Sequence, residues 1–211
     1  GQVSAALMLA DIYVTKGDGE KATQLLESVK AVSTGGESII ELNNLGQKLG
    51  DENMEKKNFR EALVAYQSVR RKAEVVKLQK DRIAKISAQL ATGRGNKDDL
   101  EAKLASDKSL LAQLEEKADY DATLYYRLGR CYFEMGRMWE ALLAFESVVK
   151  EFKTFAQRDK CMYAMIMANA QLKRVSKARE YCDKFIQDFP DSEMTGQIAE
   201  MYGMLAYQQG D

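Results

Sequence analysis

Four pairs of positions lie twelve residues apart in this chain: Ala10 and Ala22, Gly50 and Ala62, Gly129 and Ala141, Ile166 and Ala178. Apolar residues fall at matching offsets around them. Leu9, Tyr13, Leu26 and Val29 surround the first pair, and Leu49, Tyr66 and Val69 the second. Phe145 and Val148 follow the third, and Met162, Met165, Cys182 and Phe185 accompany the fourth. Small residues let two helices approach closely, while large ones fill the space between helix pairs. The recurrence points to a stack of like units rather than one irregular bundle.

The third unit is the clearest. Tyr125-Tyr126-Arg127-Leu128-Gly129-Arg130-Cys131-Tyr132 is followed by Gly136, Ala141 and Phe145. Gly136 suits a turn, where a residue free to take positive φ ends the first helix. This pattern resembles the tetratricopeptide repeat: aromatic, Leu-Gly, Tyr, then Ala and Phe at fixed spacing. The resemblance covers about three quarters of the chain in four units, with a fifth start at Ala199, Tyr202, Gly203 and a turn at Gly210. Only the third unit carries the full set. Ala22 to Ala62 is 40 residues and Ala141 to Ala178 is 37, against about 34 for the family. The surplus is assigned to loops near Ser33–Ser38 and Thr154–Asp159.

The chain has one proline, Pro190, among 211 residues, which suits an all-α fold. The fold implied is a right-handed superhelix of antiparallel helix pairs. Ala62 to Ala141 is 79 residues, too long for one repeat. No helix breaker appears between Phe59 and Ala91, and Thr92-Gly93-Arg94-Gly95-Asn96 is a turn signal. Val69, Val76, Ile83 and Leu90 recur every seven residues, and Leu100, Leu104, Leu111, Leu114 and Ala118 line a returning arm. The reading is an inserted antiparallel coiled-coil hairpin that projects from the stack; two helices stacked in line are the alternative. Each arm has about 20 residues, or roughly 30 Å. The expected division is residues 1–70, repeats one and two; 71–118, the hairpin; and 119–211, repeats three and four with the first helix of another.

Chemistry is hard to place here. The sequence has no histidine, which removes the commonest general base and metal ligand. Gly93-Arg94-Gly95-Asn96-Lys97 lacks phosphate-loop spacing. The acidic pairs Asp51-Glu52, Asp98-Asp99 and Glu115-Glu116 read as solvated surface. Cys131, Cys161 and Cys182 read as small buried hydrophobes, with a Cys161–Cys182 disulfide as the alternative. The expectation is a protein without enzymatic activity, cofactor or metal. Basic and acidic residues number 31 and 32, so nothing in the charge favours nucleic acid. No apolar run is long enough to span a membrane.

What remains is a partner surface. The resemblance implies a concave groove lined by the first helices of successive repeats. Helical phase places Tyr126, Arg130, Phe133 and Glu134 there, then Lys160, Tyr163, Met167 and Gln171, then Glu200, Met204 and Tyr207. Leu7, Asp11 and Val14 would begin it. Tyr, Phe, Met and Arg are the types that anchor protein interfaces. Phe133, Tyr163 and Met167 fit packing between repeats equally well. With only Arg130 and Lys160 as cations, the groove does not match the type that grips a chain's terminal carboxylates. The function expected is a scaffold that binds a protein or peptide. The alternatives are self-association through the hairpin, giving a homo-oligomer, or a regulatory part of a larger enzyme or regulator. Phe185–Glu193 resembles repeat endings of bacterial envelope proteins of this family, those of the Tol-Pal system and of outer-membrane assembly. That resemblance implies a periplasmic or envelope setting, with a cytoplasmic one as the alternative. Gly1 reads as a residue left by cloning and the chain as a piece of a longer protein.

Overall fold

The computed structural model describes residues 2–32 and 37–209; among them all regular structure is helical. The chain divides into two compact units, residues 1–121 and 122–211. The first holds α1 (Gln2–Thr15), α2 (Gly19–Val32), α3 (Glu37–Glu55), α4 (Phe59–Ser68), α5 (Lys72–Ala91) and α6 (Lys97–Glu116). The second holds α7 (Ala122–Glu134), α8 (Met138–Glu151), α9 (Arg158–Gln171), α10 (Val175–Asp188) and α11 (Thr195–Gln209). The loops expected at Ser33–Ser38 and the turn at Gly210 fall wholly or partly outside the described residues. The expected loop at Thr154–Asp159 lies largely between α8 and α9.

Helix pairs α1–α2, α3–α4, α7–α8 and α9–α10 share one construction. Each first helix ends on a residue in the left-handed region seven places after the frame position: Gly17, Lys57, Gly136 and Lys173, with φ of 77°, 60°, 74° and 57°. The next residue closes the turn with a backbone bond to the carbonyl five places back. These bonds are Asp18 to Tyr13 (2.9 Å), Asn58 to Asn53 (2.8 Å), Arg137 to Tyr132 (2.9 Å) and Arg174 to Asn169 (2.9 Å). This is the helix-ending motif that satisfies orphan carbonyls and reverses the chain within three residues. Two of the four turns tolerate lysine where glycine is easier.

Side chains then set how closely the paired helices approach. A Cβ on Gly129 would stand 2.6 Å from the Phe145 ring, and one on Gly50 would stand 2.1 Å from the Tyr66 ring. Phe145 and Tyr66 both lie sixteen places after their glycines and are 1% and 2% exposed. The other two repeats put Ala10 with Leu26 and Ile166 with Cys182 at the same offsets, all buried. In α11, Gly203 holds the same frame position and has open space where a Cβ would stand.

The sequence suggests one helix from Phe59 to Ala91. The chain instead leaves the helix after Ser68 and re-enters it at Lys72. The cause is a buried amide. Asn43 Nδ2 donates to the Arg70 carbonyl at 2.9 Å, and the Arg70 N–H donates to Asn43 Oδ1 at 2.9 Å. Asn43 thus supplies both partners that a continued helix would have provided for Arg70. The Lys72 N–H is taken by Asp121 Oδ1 at 2.8 Å.

The break resets the phase of the hairpin. Val69 lies outside α5, and its buried face is Val75, Gln79 and Ile86, with Val76, Ile83 and Leu90 only half-buried. On α6 the buried residues are Asp107 and Leu114, and Ala118 is exposed. At mid-length the seam is polar: Gln79 Nε2 donates to the Asp107 carbonyl and to Oδ1, each at 3.0 Å, and Arg82 Nε to Oδ2 at 2.7 Å. The arms therefore form an antiparallel helix pair with a polar centre, not the continuous apolar heptad expected. At its base Ile39, Val75 and Leu114 cluster with Tyr120. Beyond the base, α5 and α6 pack chiefly on each other, and residues 91–99 are exposed. The turn at 92–96 stands as expected, with Asn96 capping α6 through the Asp99 N–H at 3.2 Å. Residues 119–121 belong to the first unit, three places beyond the expected boundary, because Tyr120 bonds Asn43 and Asp121 bonds Lys72.

Replacing Asn43 by Ala leaves two buried backbone groups of Arg70 without partners. Each such loss costs about 1–3 kcal/mol. The expected result is a loss of about 2–6 kcal/mol in stability, read as a lower urea midpoint with an unchanged slope.

Candidate functional site

The second unit contains most of the residues assigned to a groove, on α7, α9 and α11. Along α7, Arg130 and Glu134 are exposed, while Tyr126 and Phe133 are half-buried. Along α9, Lys160 and Gln171 are exposed, and Tyr163 and Met167 are half-buried. On α11, Glu200 is exposed, Met204 is 60% exposed and Tyr207 is 85% exposed. In the first unit Asp11 is exposed and Val14 is buried in the core; the side chain of Leu7 lies outside the described residues.

Tyr126 is a packing residue as much as a surface one. Its ring lies 6.4 Å from Phe145 and 6.0 Å from Phe155, and Arg130 sits over it at 5.8 Å. Burial pushes its hydroxyl pKa up. Phe133 and Tyr163 also pack against the core of this unit. The accessible stripe is therefore mixed: aromatic rings embedded at their edges, with Arg130, Lys160, Met204 and Tyr207 standing free of the core. α7 and α9 touch directly as first helices of successive pairs.

Residues 123–154 and 160–192 each match the family model described as tetratricopeptide repeat. These two segments are tetratricopeptide repeats. The matched residues are α7–α8 and α9–α10, and the pairs α1–α2 and α3–α4 reproduce their turn and frame. No curated protein matches the chain. Among solved structures it is similar to an "Assembly Chaperone of RpL4 (Acl4) (Residues 1-338)", at 11% identity and a TM-score of 0.28, over 99% of this chain and 96% of that one. At that score the likeness carries no functional argument.

The second helices hold a surface that the repeat pattern does not single out. α8 and α10 stand apart over α9, leaving a cleft between them. Its walls carry Trp139, which is 56% exposed, and Leu143, which is 67% exposed, one turn apart on α8. Arg174 lies over the Trp139 ring at 4.9 Å. The signal was present in the sequence as its one tryptophan with a leucine four places on. It went unread because the family resemblance directs attention to first helices.

Among the described residues no cluster could hold a metal ion and no helix is long and apolar enough to cross a membrane. Cys131, Cys161 and Cys182 are free thiols, all buried, so the alternative Cys161–Cys182 bridge is not formed. Burial pushes them from an ordinary 9.0 up to about 11 for Cys131, about 12 for Cys161 and about 11 for Cys182. They stay protonated where an exposed thiol would ionise. Native protein at pH 8 is expected to react with none of an added aromatic disulfide reagent, and to react at all three sites once unfolded. The stability they contribute is full below about pH 9 and is lost as pH rises toward 11–12, so the unfolding midpoint falls across that window.

Proposed function

We propose that the chain is a non-enzymatic scaffold that holds a partner protein along the first helices of its repeats. The observation that supports this most is the accessible stripe on α7, α9 and α11. It combines embedded rings, which cost little side-chain entropy to present, with exposed Arg130, Lys160, Met204 and Tyr207. Interfaces favour this mixture of rigid aromatic and adaptable apolar or cationic groups. A bound helix or extended peptide is the occupant that such a stripe fits. An envelope setting is supported only by the resemblance of Phe185–Glu193 to envelope repeat endings, and cell fractionation tests it.

The test is affinity capture from the native cell, with this chain as bait. The comparison bait carries Arg130→Glu, Lys160→Glu, Met204→Ala and Tyr207→Ala, all at exposed positions. A specific partner held by the first bait and lost by the second, with equal helicity in both, is the expected result. Equal recovery of every partner would contradict the groove.

A further inference from the structure

The cleft between α8 and α10 has two sections that share Tyr181, whose hydroxyl reaches Glu146 Oε1 at 3.5 Å. The first section, about 170 Å³, is walled by Trp139, Leu142 and Leu143, with Met165 and Asn169 bordering it from α9. The second, about 320 Å³, is lined by Lys150, Lys153, Arg158, Lys177 and Lys184.

Asn169 is 1% exposed. Its Nδ2 donates to the Met165 carbonyl at 2.8 Å, which fixes the amide's orientation, and its Oδ1 has no hydrogen-bond partner. A buried acceptor without a donor is costly. Asn169 thus borders the first section from beneath its surface, and the groups the section presents to solvent are the apolar Trp139 and Leu143. Arg174 stacked on Trp139 holds that ring in place.

The second section carries an excess of positive charge. Six basic side chains and two acidic ones, Glu146 and Asp188, line the whole cleft. Glu180 pairs with Lys177 and Lys184 from outside the lining, which still leaves an excess of three positive charges. Glu146 is already engaged by Lys150 at 2.8 Å. Arg158 is anchored to the carbonyls of Lys153 and Val149, so its charge is fixed at the wall.

We propose that this cleft is a second docking site, on the opposite helices of the repeats from the groove, for an acidic peptide segment of a partner protein. An apolar side chain of the peptide lies on Trp139 and Leu143. Carboxylates lie along the section that holds Lys153 and Lys184. The charge excess selects an acidic occupant over a neutral one, and the exposed apolar lip of Trp139 and Leu143 selects a peptide over a bare anion.

The probe is a displayed library of ten-residue peptides without tryptophan, selected on the full chain. The expected outcome is enrichment of sequences with at least two Asp or Glu beside Leu, Ile or Phe. Binding of the most enriched peptide shifts the emission of Trp139, the chain's one tryptophan. Lys153→Glu with Lys184→Glu weakens it about tenfold or more, as does Leu143→Ser; all three are exposed positions whose replacement leaves helicity unchanged. Added salt weakens it as well. Arg130→Glu with Tyr207→Ala leaves it unchanged. No enrichment, enrichment of neutral or basic sequences, an unmoved emission, or sensitivity to the groove variant alone would each overturn the proposal.

Discussion

The closest approach of paired helices, at one frame position in each repeat, governs the rest of this structure. In two repeats a glycine faces an aromatic ring, Gly50 with Tyr66 and Gly129 with Phe145, and a single added carbon would collide. In the other two the sizes are redistributed, as Ala10 with Leu26 and Ile166 with Cys182. Large residues sit on the second helix where the first is bare, and small ones where it is bulky. Summed volume is conserved while identity is not, as close packing requires. The common turn follows from this. Helices held at one separation can be joined by one three-residue reversal, which is why Lys57 and Lys173 accept the left-handed backbone that Gly17 and Gly136 take easily.

The hairpin is where that rule stops applying. With no aromatic residue between Tyr66 and Tyr120, α5 and α6 have nothing with which to fill a repeat-to-repeat contact, and they pair with each other. A polar set at mid-seam, Gln79, Asp107 and Arg82, takes the place of apolar contact. Buried polar groups of this kind fix register at some cost in stability. The seam therefore has one alignment in which all its polar groups are satisfied, and a one-turn slip would leave Asp107 buried and unpaired.

Much of this was legible in the sequence. The twelve-residue pairs, the Gly136 turn and the 92–96 turn all state local geometry through residue type, and each stands where spacing placed it. The break at 69–71 was not legible, because its cause is forty-three residues into the chain rather than beside it: Asn43 looks like any polar residue on α3 until the fold brings it to Arg70. The hairpin phase was misread for the same reason, since a heptad counted from Val69 assumes a helix that the break removes. At the candidate site, helical phase gave the exposure of Arg130, Lys160 and Met204 but not the packing that draws Tyr126, Phe133 and Tyr163 partly into the core. The α8–α10 cleft depends on the distance between two helices that do not follow each other in the chain, and spacing along a sequence carries no such information.

Both proposed partner surfaces lie on helices whose separation the frame residues set, so the frame itself is the claim to test. The direct measurement is a double-mutant cycle in the fourth repeat, with Ile166→Gly, Cys182→Phe and the pair together, each followed by urea unfolding. If position 166 faces position 182 as Gly129 faces Phe145, each single change destabilises the protein. The first leaves a cavity and the second overfills a full core, at about 1–5 kcal/mol each. The pair then recovers more than 1 kcal/mol of the summed loss, well outside the ~0.5 kcal/mol within which independent sites add. Simple additivity would show that the two positions do not share a contact, and that the repeats are not built on one exchanged pair.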